Sequence, residues 1–197
     1  MQAAWETLRS RYGEGHRHYH DLGHLAHCLE QLDLARDALD RPDAVEMAIW
    51  FHDIINEPDS RANEQLSAEY FRSKAQECMA PDFVQHVAEL ILVATHAQAR
   101  GNNDQRFICD IDLASFGCPW ECFMRDSDAV KAEFSGSEEA YYRGKSAFLR
   151  RCSLDRASFK PNSATPGMNN RASRTSSDCC NSSKRARTER RPGRIAR

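Results

Sequence analysis

The chain lacks any stretch in which apolar and polar residues alternate at a period of two, so nothing in it reads as a β-strand and a sheet architecture is excluded. It shows no secretory signal and no long apolar run, which argues against export and membrane anchoring and makes a reducing cytoplasm the expected compartment. Its 8 cysteines follow no regular framework, so a disulfide-stapled scaffold is not expected. Cys118-Pro-Trp-Glu-Cys122 resembles half a zinc site, but no second Cys/His pair stands at a suitable spacing. A Gly-rich phosphate loop, a dinucleotide fingerprint and a nucleophilic Ser or Cys motif are all missing, which removes the chemistries that depend on them.

What is present divides sharply by charge. The formal net charge over 197 residues is only -2, yet residues 1–150 hold 15 basic and 26 acidic residues, net -11, and residues 151–197 hold 12 and 3, net +9. The acidic part carries enough periodic apolar residues to bury its own core and reads as one domain. The Ser- and Arg-rich tail does not, and is expected to be a disordered or frame-shifted extension.

Apolar residues in the first part recur at three and four, which predicts an all-α fold. Helices are expected over Ala3–Tyr12 and over about Asp21 to Leu39, the latter with Leu22, Leu25, Leu29 and Leu32 on its buried stripe. Pro42 presets a new start, and Ala44–Ile55 is apolar almost all round, as a central helix would be. Further helices are expected over about Arg61 to Cys78, anchored by Leu66, Tyr70 and Met79, and from Pro81 to Ala94. Gln105–Phe116, closed by Gly117, then Pro119–Phe134 and Ser137–Arg151 complete the set.

Three places hold chemistry. His20 and His24 are four apart, so on a helix they share a face, either as metal ligands or as a solvated polar stripe. His52-Asp53 closes the apolar helix, either as a helix-end pair exposed to water or as a buried pair, for which an unpaired carboxylate is costly unless a divalent cation satisfies both residues. Asp110 and Asp112 lie among Phe107, Ile108, Leu113 and Phe116, about 200° apart on a helix, so only one of them can face inward.

The order His24, His52-Asp53, Asp112 resembles the HD superfamily of metal-dependent phosphohydrolases, defined by a His, an adjacent His-Asp pair and a distal Asp on separate helices. Arg17-His18-Tyr19-His20-Asp21-Leu22-Gly23-His24-Leu25, Ala48-Ile49-Trp50-Phe51-His52-Asp53, Asn63-Glu64-Gln65-Leu66-Ser67-Ala68 and Asp110-Ile111-Asp112-Leu113-Ala114 are similar to its bacterial branch. The resemblance spans about residues 5–150. It implies an HD-domain-like helical bundle, with His24, His52, Asp53 and Asp112 as ligands of a divalent metal ion. Asp112 is preferred because its Asp-Leu step matches, although the sequence does not exclude Asp110.

By comparison with the related cyclic nucleotide phosphodiesterases, His20 becomes a general acid or a residue that orients a ligand, its ordinary pKa near ~6.5 suiting proton transfer. Glu64 is a candidate base or water-orienting residue, and Asn63 a helix cap or a phosphate contact. His96 is read as an ordinary helix-terminal histidine, with a fifth ligand as the alternative. Arg17 and His18 either contact an anionic substrate or lie on the surface, and His27, Cys28 and His86 receive no role.

Two imidazoles and two carboxylates suit Mn, Fe, Co, Ni or Mg, with activated water as nucleophile and a small phosphorylated substrate, nucleotides included. No membrane partner is expected. The basic tail makes nucleic acid a weak alternative, and the oligomeric state is open. The competing reading of the whole chain is a non-catalytic metal- or nucleotide-binding module, or an inactive degraded copy, because Ser153–Arg197 departs from the family's helical ending.

Overall fold

The computed structural model describes residues 2–96 and 100–158, with side chains described for 5–96 and 100–152; most of the basic tail lies outside the described residues. Among the described residues the regular structure is entirely helical, without a strand: α1 (Gln2–Tyr12), α2 (Leu22–Ala35), α3 (Pro42–Phe51), α4 (Asn63–Ala75), α5 (Pro81–Val93), α6 (Asn103–Asp112), α7 (Trp120–Ala132) and α8 (Glu138–Ser158). Short 3-10 turns follow α2 and α6, at Arg36–Ala38 and Ala114–Gly117. None of these helices is long and apolar enough to cross a membrane.

Helix α3 is central, as its apolar sequence predicts. It packs on α2, α5 and α6, while α4 packs on α5. Ala44, Val45, Ala48 and Ile49 are buried on it, and Val87, Leu90 and Ile91 of α5 lie in the same core. The helix stops at Phe51 rather than Ile55. Its last turn donates the His52 N–H to the Ala48 carbonyl, after which the chain bends so that Ile54 returns to the core. The Asp53 and Ile54 carbonyls, which a longer helix would use internally, accept instead from the Arg17 guanidinium at 2.7 and 3.1 Å.

Helix α2 opens at Asp21, whose carboxylate accepts from the Gly23 and His24 N–H groups at 2.7 and 3.2 Å. His24 and Cys28 therefore share the buried stripe with Leu25 and Leu32, while Leu22 and Leu29 flank it. Asp21→Ala is expected to cost about 1 kcal/mol, the usual value of such a cap, read as a lowered urea midpoint with an unchanged slope. Loss of stability indistinguishable from zero would show that the cap is dispensable.

Helix α4 differs from the expected pattern. Leu66 is exposed, and the buried stripe is Ser67, Ala68, Phe71 and Ala75, with Tyr70 and Met79 half-buried beside it. A buried serine is tolerated there because its hydroxyl accepts from the Ile55 N–H and donates to the Ile55 carbonyl. Helix α6 ends at Asp112 rather than Phe116, and α8 runs on to Ser158, past the expected end at Arg151. Ser137 caps α8 as expected, accepting from the Ala140 N–H at 3.2 Å.

Candidate metal centre

Three helix ends deliver the polar residues to a single buried place. His24 comes from the first turn of α2, His52 from the end of α3, Asp53 from the next residue, and Asp112 from the last position of α6. Their imidazoles and carboxylates meet edge to edge. His24 Nε2 lies 3.1 Å from Asp112 Oδ1 and 3.6 Å from Asp53 Oδ2, and His52 Nε2 lies 3.0 Å from Asp53 Oδ2 and 3.6 Å from Asp112 Oδ1. The two imidazoles are almost wholly buried, while the carboxylates are open to solvent at 17 and 19% of their surface.

The donor set fits a cation. His52 Nδ1–H donates to the Ile49 carbonyl at 2.8 Å, which fixes the ring so that Nε2 faces the cluster. Although His52 Nε2 and Asp53 Oδ2 are 3.0 Å apart, they are not aligned for a hydrogen bond, and neither has a hydrogen-bond partner among the described residues. A buried ring nitrogen and a carboxylate oxygen left in this way are what a shared cation would satisfy. One ligand atom each from His24, Cys28, His52 and Asp112 also lie within 4.8 Å of one another, so this buried cluster can hold a metal ion.

Cys28, which sequence reasoning left without a role, thus borders the site, its Sγ 3.6 Å from His24 Nε2. Burial, reinforced by Asp112 and Asp53, pushes its thiol well above the ordinary value.

Electrostatics follow from this crowding. Burial alone would lower the His52 pKa, but Asp53 and Asp112 reverse that and hold it well above the ordinary value. Burial would raise the Asp53 and Asp112 carboxyls, yet the neighbouring histidines hold both well below the usual carboxylate range.

Asp110 is not brought in. Its carboxylate accepts from Arg100 Nη1 at 3.3 Å on the half-exposed outer side of α6, which settles the inward direction in favour of Asp112. His96 is brought in, contrary to its reading as an ordinary helix end. Beyond α5 it adopts a left-handed backbone with φ of 52°, and its Nε2–H donates to Asp112 Oδ2 at 2.8 Å. A non-glycine residue in that region carries a backbone cost, offset here by the contact it makes.

His20 reaches the cluster from a loop, not from the face of a helix as the four-residue spacing had implied. Its ring meets His24 edge-on at 5.7 Å between centroids. Tyr19 lies against His24 and pairs its hydroxyl with Ser115 Oγ at 2.9 Å.

Glu64 stands in the first turn of α4, half-buried, and burial raises its pKa, with Asp53 and Asp112 adding to the effect and backbone hydrogen bonding opposing it. Asn63 neither caps α4, whose cap position is Ala62, nor faces the cluster. Its side chain accepts from the Glu57 N–H and donates to Asn56 and to the Glu57 carbonyl, pinning that loop.

Arg17 is neither a substrate contact nor a surface residue. Its side chain is fully buried, and its guanidinium donates to Glu14 and to the carbonyls of His20, Asp53 and Ile54. His18 is exposed, His27 is half-buried on α2, and His86 lies 3.5 Å from buried Asp104 away from the site.

Glu133 escaped the sequence reading entirely. Its Oε1 accepts from the N–H groups of His18, Tyr19 and His20 at 2.7, 2.6 and 2.9 Å, and its Oε2 accepts from His20 Nδ1 at 2.5 Å. The one signal in the sequence is its position just past α7, where a carboxylate opposes the helix dipole.

Burial would raise the Glu133 carboxyl, but His20 and the loop N–H groups bring it down to about 2. Burial would lower His20, but Asp53 and Glu133 bring it up to about 9. The depressed carboxylate contributes stability fully above its ordinary 4.5 and loses it as pH falls towards 2. The raised imidazole contributes fully below its ordinary 6.5 and loses it as pH rises through 9. In metal-free protein, the stability gap between wild type and Glu133→Gln should therefore be widest between 4.5 and 6.5 and narrow on both sides. A gap independent of pH, measured by urea denaturation, would contradict the pairing.

The fold and site together define an all-helical protein with a buried His/Asp/Cys cluster able to take a metal ion. Comparison with protein-family profiles, with curated proteins and with solved structures gives no match to this chain.

Proposed function

We propose that the chain is a metal-dependent phosphohydrolase of the HD type, acting on a small phosphate ester, with nucleotides within that class. The observation that carries this reading is the meeting of His24, His52, Asp53 and Asp112, from three separate motifs, in one cluster where His52 Nε2 and Asp53 Oδ2 lack hydrogen-bond partners among the described residues. These four would hold a divalent ion such as Mn, Fe, Co, Ni or Mg, because imidazole with carboxylate suits those ions. When bound, such an ion supplies Lewis acidity and makes water nucleophilic near neutral pH.

The chain's own residues take the remaining work. His20, held at the rim and able to carry a proton near neutrality, protonates the leaving oxygen of the ester. Glu64, kept less acidic by burial, orients water or receives its proton. The side-chain openings at Asp53 and Asp112 give substrate its approach, while the buried imidazoles stay fixed behind them.

Metal analysis of the purified chain, followed by hydrolysis assays on phosphomonoesters, nucleotides and cyclic nucleotides, tests this reading. Turnover of at least one class by folded, metal-loaded protein is the expected result. A folded, metal-loaded protein that hydrolyses none of them overturns the enzyme assignment and leaves a metal- or nucleotide-binding module.

A further inference from the structure

We infer that Glu133 is a positioning residue for His20, gathering the loop that carries it and fixing its ring so that Nε2 alone is left for a substrate. The inference rests on the proposed proton-donating role of His20. Its physical basis is separate from the metal-ligand set.

An ionised carboxylate can only accept hydrogen bonds, so the 2.5 Å contact requires the proton on His20 Nδ1, whether the ring is neutral or charged. The other oxygen of Glu133 gathers three successive backbone N–H groups, from His18 to His20. Such a nest of donors is a ready anion site, and here the chain fills it with its own carboxylate from 113 positions away.

The result is a two-point hold. One oxygen fixes where the loop backbone runs, and the other fixes the rotation of the ring about its side-chain bonds. The Glu133 side chain is 92% buried, being only 8% exposed, so water competes weakly for either oxygen. Arg17 grips the same segment from the opposite side through the His20 carbonyl, tying it to the turn that bears Asp53. The ring is additionally braced by the edge-on contact with Tyr19 at 5.0 Å. No comparable hold is needed for a histidine that merely covers the surface, since an exposed charge pair contributes little.

Glu133→Gln separates the two halves of the hold. Its amide oxygen still accepts the three loop N–H groups, whereas its amide nitrogen can only donate and so cannot receive Nδ1–H. The experiment is proton and nitrogen NMR of the full-length, metal-free protein, with the His20 signals assigned by their absence in His20→Gln.

Wild type should show a downfield Nδ1–H that exchanges slowly with water, and Glu133→Gln, with wild-type circular dichroism, should lose it. A missing signal in wild type, or an unchanged one in a folded Glu133→Gln, overturns the inference. With metal added, Glu133→Gln should lower kcat by about 10- to 100-fold, the range for residues that orient a catalytic group, with KM nearly unchanged. An active wild type matched in kcat by Glu133→Gln overturns the positioning role while leaving the phosphohydrolase reading intact. A wild type without activity overturns that reading, and the NMR result still decides the Glu133 contact.

Discussion

His52→Ala and Asp53→Ala are each expected to lower phosphate-ester turnover by at least about 100-fold, because even residues one step removed from a metal commonly cost 10- to 100-fold. The two substitutions act through different losses. His52→Ala removes an imidazole whose Nδ1–H is already committed to the Ile49 carbonyl, and so deletes the Nε2 that the helix end aims inward. Asp53→Ala removes the carboxylate that approaches both histidines, leaving their Nε2 atoms with Asp112 as the remaining acidic partner within 3.6 Å.

Metal content, measured after gel filtration, should fall with activity in both variants while the helical circular dichroism persists. His52→Asn and Asp53→Asn provide checks closer in size, since the first amide stops short of the Nε2 position and the second lacks the carboxylate's charge. Unchanged activity in the two alanine variants would sink the assignment. Loss of helical signal in one variant passes the decision to its asparagine counterpart.

Arg17→Met is expected to destabilise the protein by about 3 to 5 kcal/mol, the usual cost of breaking a buried charged network. For a chain of this size that corresponds to a fall in Tm of roughly 6 to 20 °C. The guanidinium is wholly buried, lies over the Tyr12 ring at 5.1 Å, and donates to three carbonyls on two segments. Methionine preserves much of the packing but none of those donors, so the carbonyls of His20, Asp53 and Ile54 lose their charged partner where water enters poorly.

Arg17→Lys should recover less than half of the loss, because an ammonium is a point donor and cannot span two segments as the planar fork does. Differential scanning calorimetry reads both variants. A Tm for Arg17→Met within about 2 °C of wild type would show that the guanidinium is dispensable.

The helices were legible in the sequence where burial is carried by large apolar side chains. The α5 stripe is of that kind, and Val45 and Ile49 mark the buried side of α3 in the same way. Legibility failed where small or polar residues line the interface. Ser67 and Ala68 face the core of α4, and Leu66, the conspicuous residue, does not, because the hydroxyl of Ser67 found both its partners on Ile55.

At the site, residues tied to a recurring motif, His24, His52, Asp53 and Asp112, lie together as the motif order suggested. Those whose role depends on a fold contact were out of reach. Arg17 was readable only as an anion contact or a surface residue, because nothing in the sequence shows that two backbone turns would converge on it. His96 looked like a helix end because its left-handed backbone, which swings the ring onto Asp112, has no one-dimensional trace. Glu133 is separated from its partner by most of the chain.

The distance along the chain between His24 and Asp112, 88 positions, has a thermodynamic consequence of its own. Ligands so far apart cannot be gathered by a local turn, and holding them together in an unfolded chain would carry a loop-closure cost with nothing to offset it. Any cation that binds there binds the native state alone. Its affinity is then also a clamp on unfolding, growing as RT ln(1 + [L]/Kd), about 2.7 kcal/mol at a free concentration of about 100 Kd. Occupancy of the centre then reports whether α2 and α6 stay docked, since parting His24 from Asp112 would release the ion.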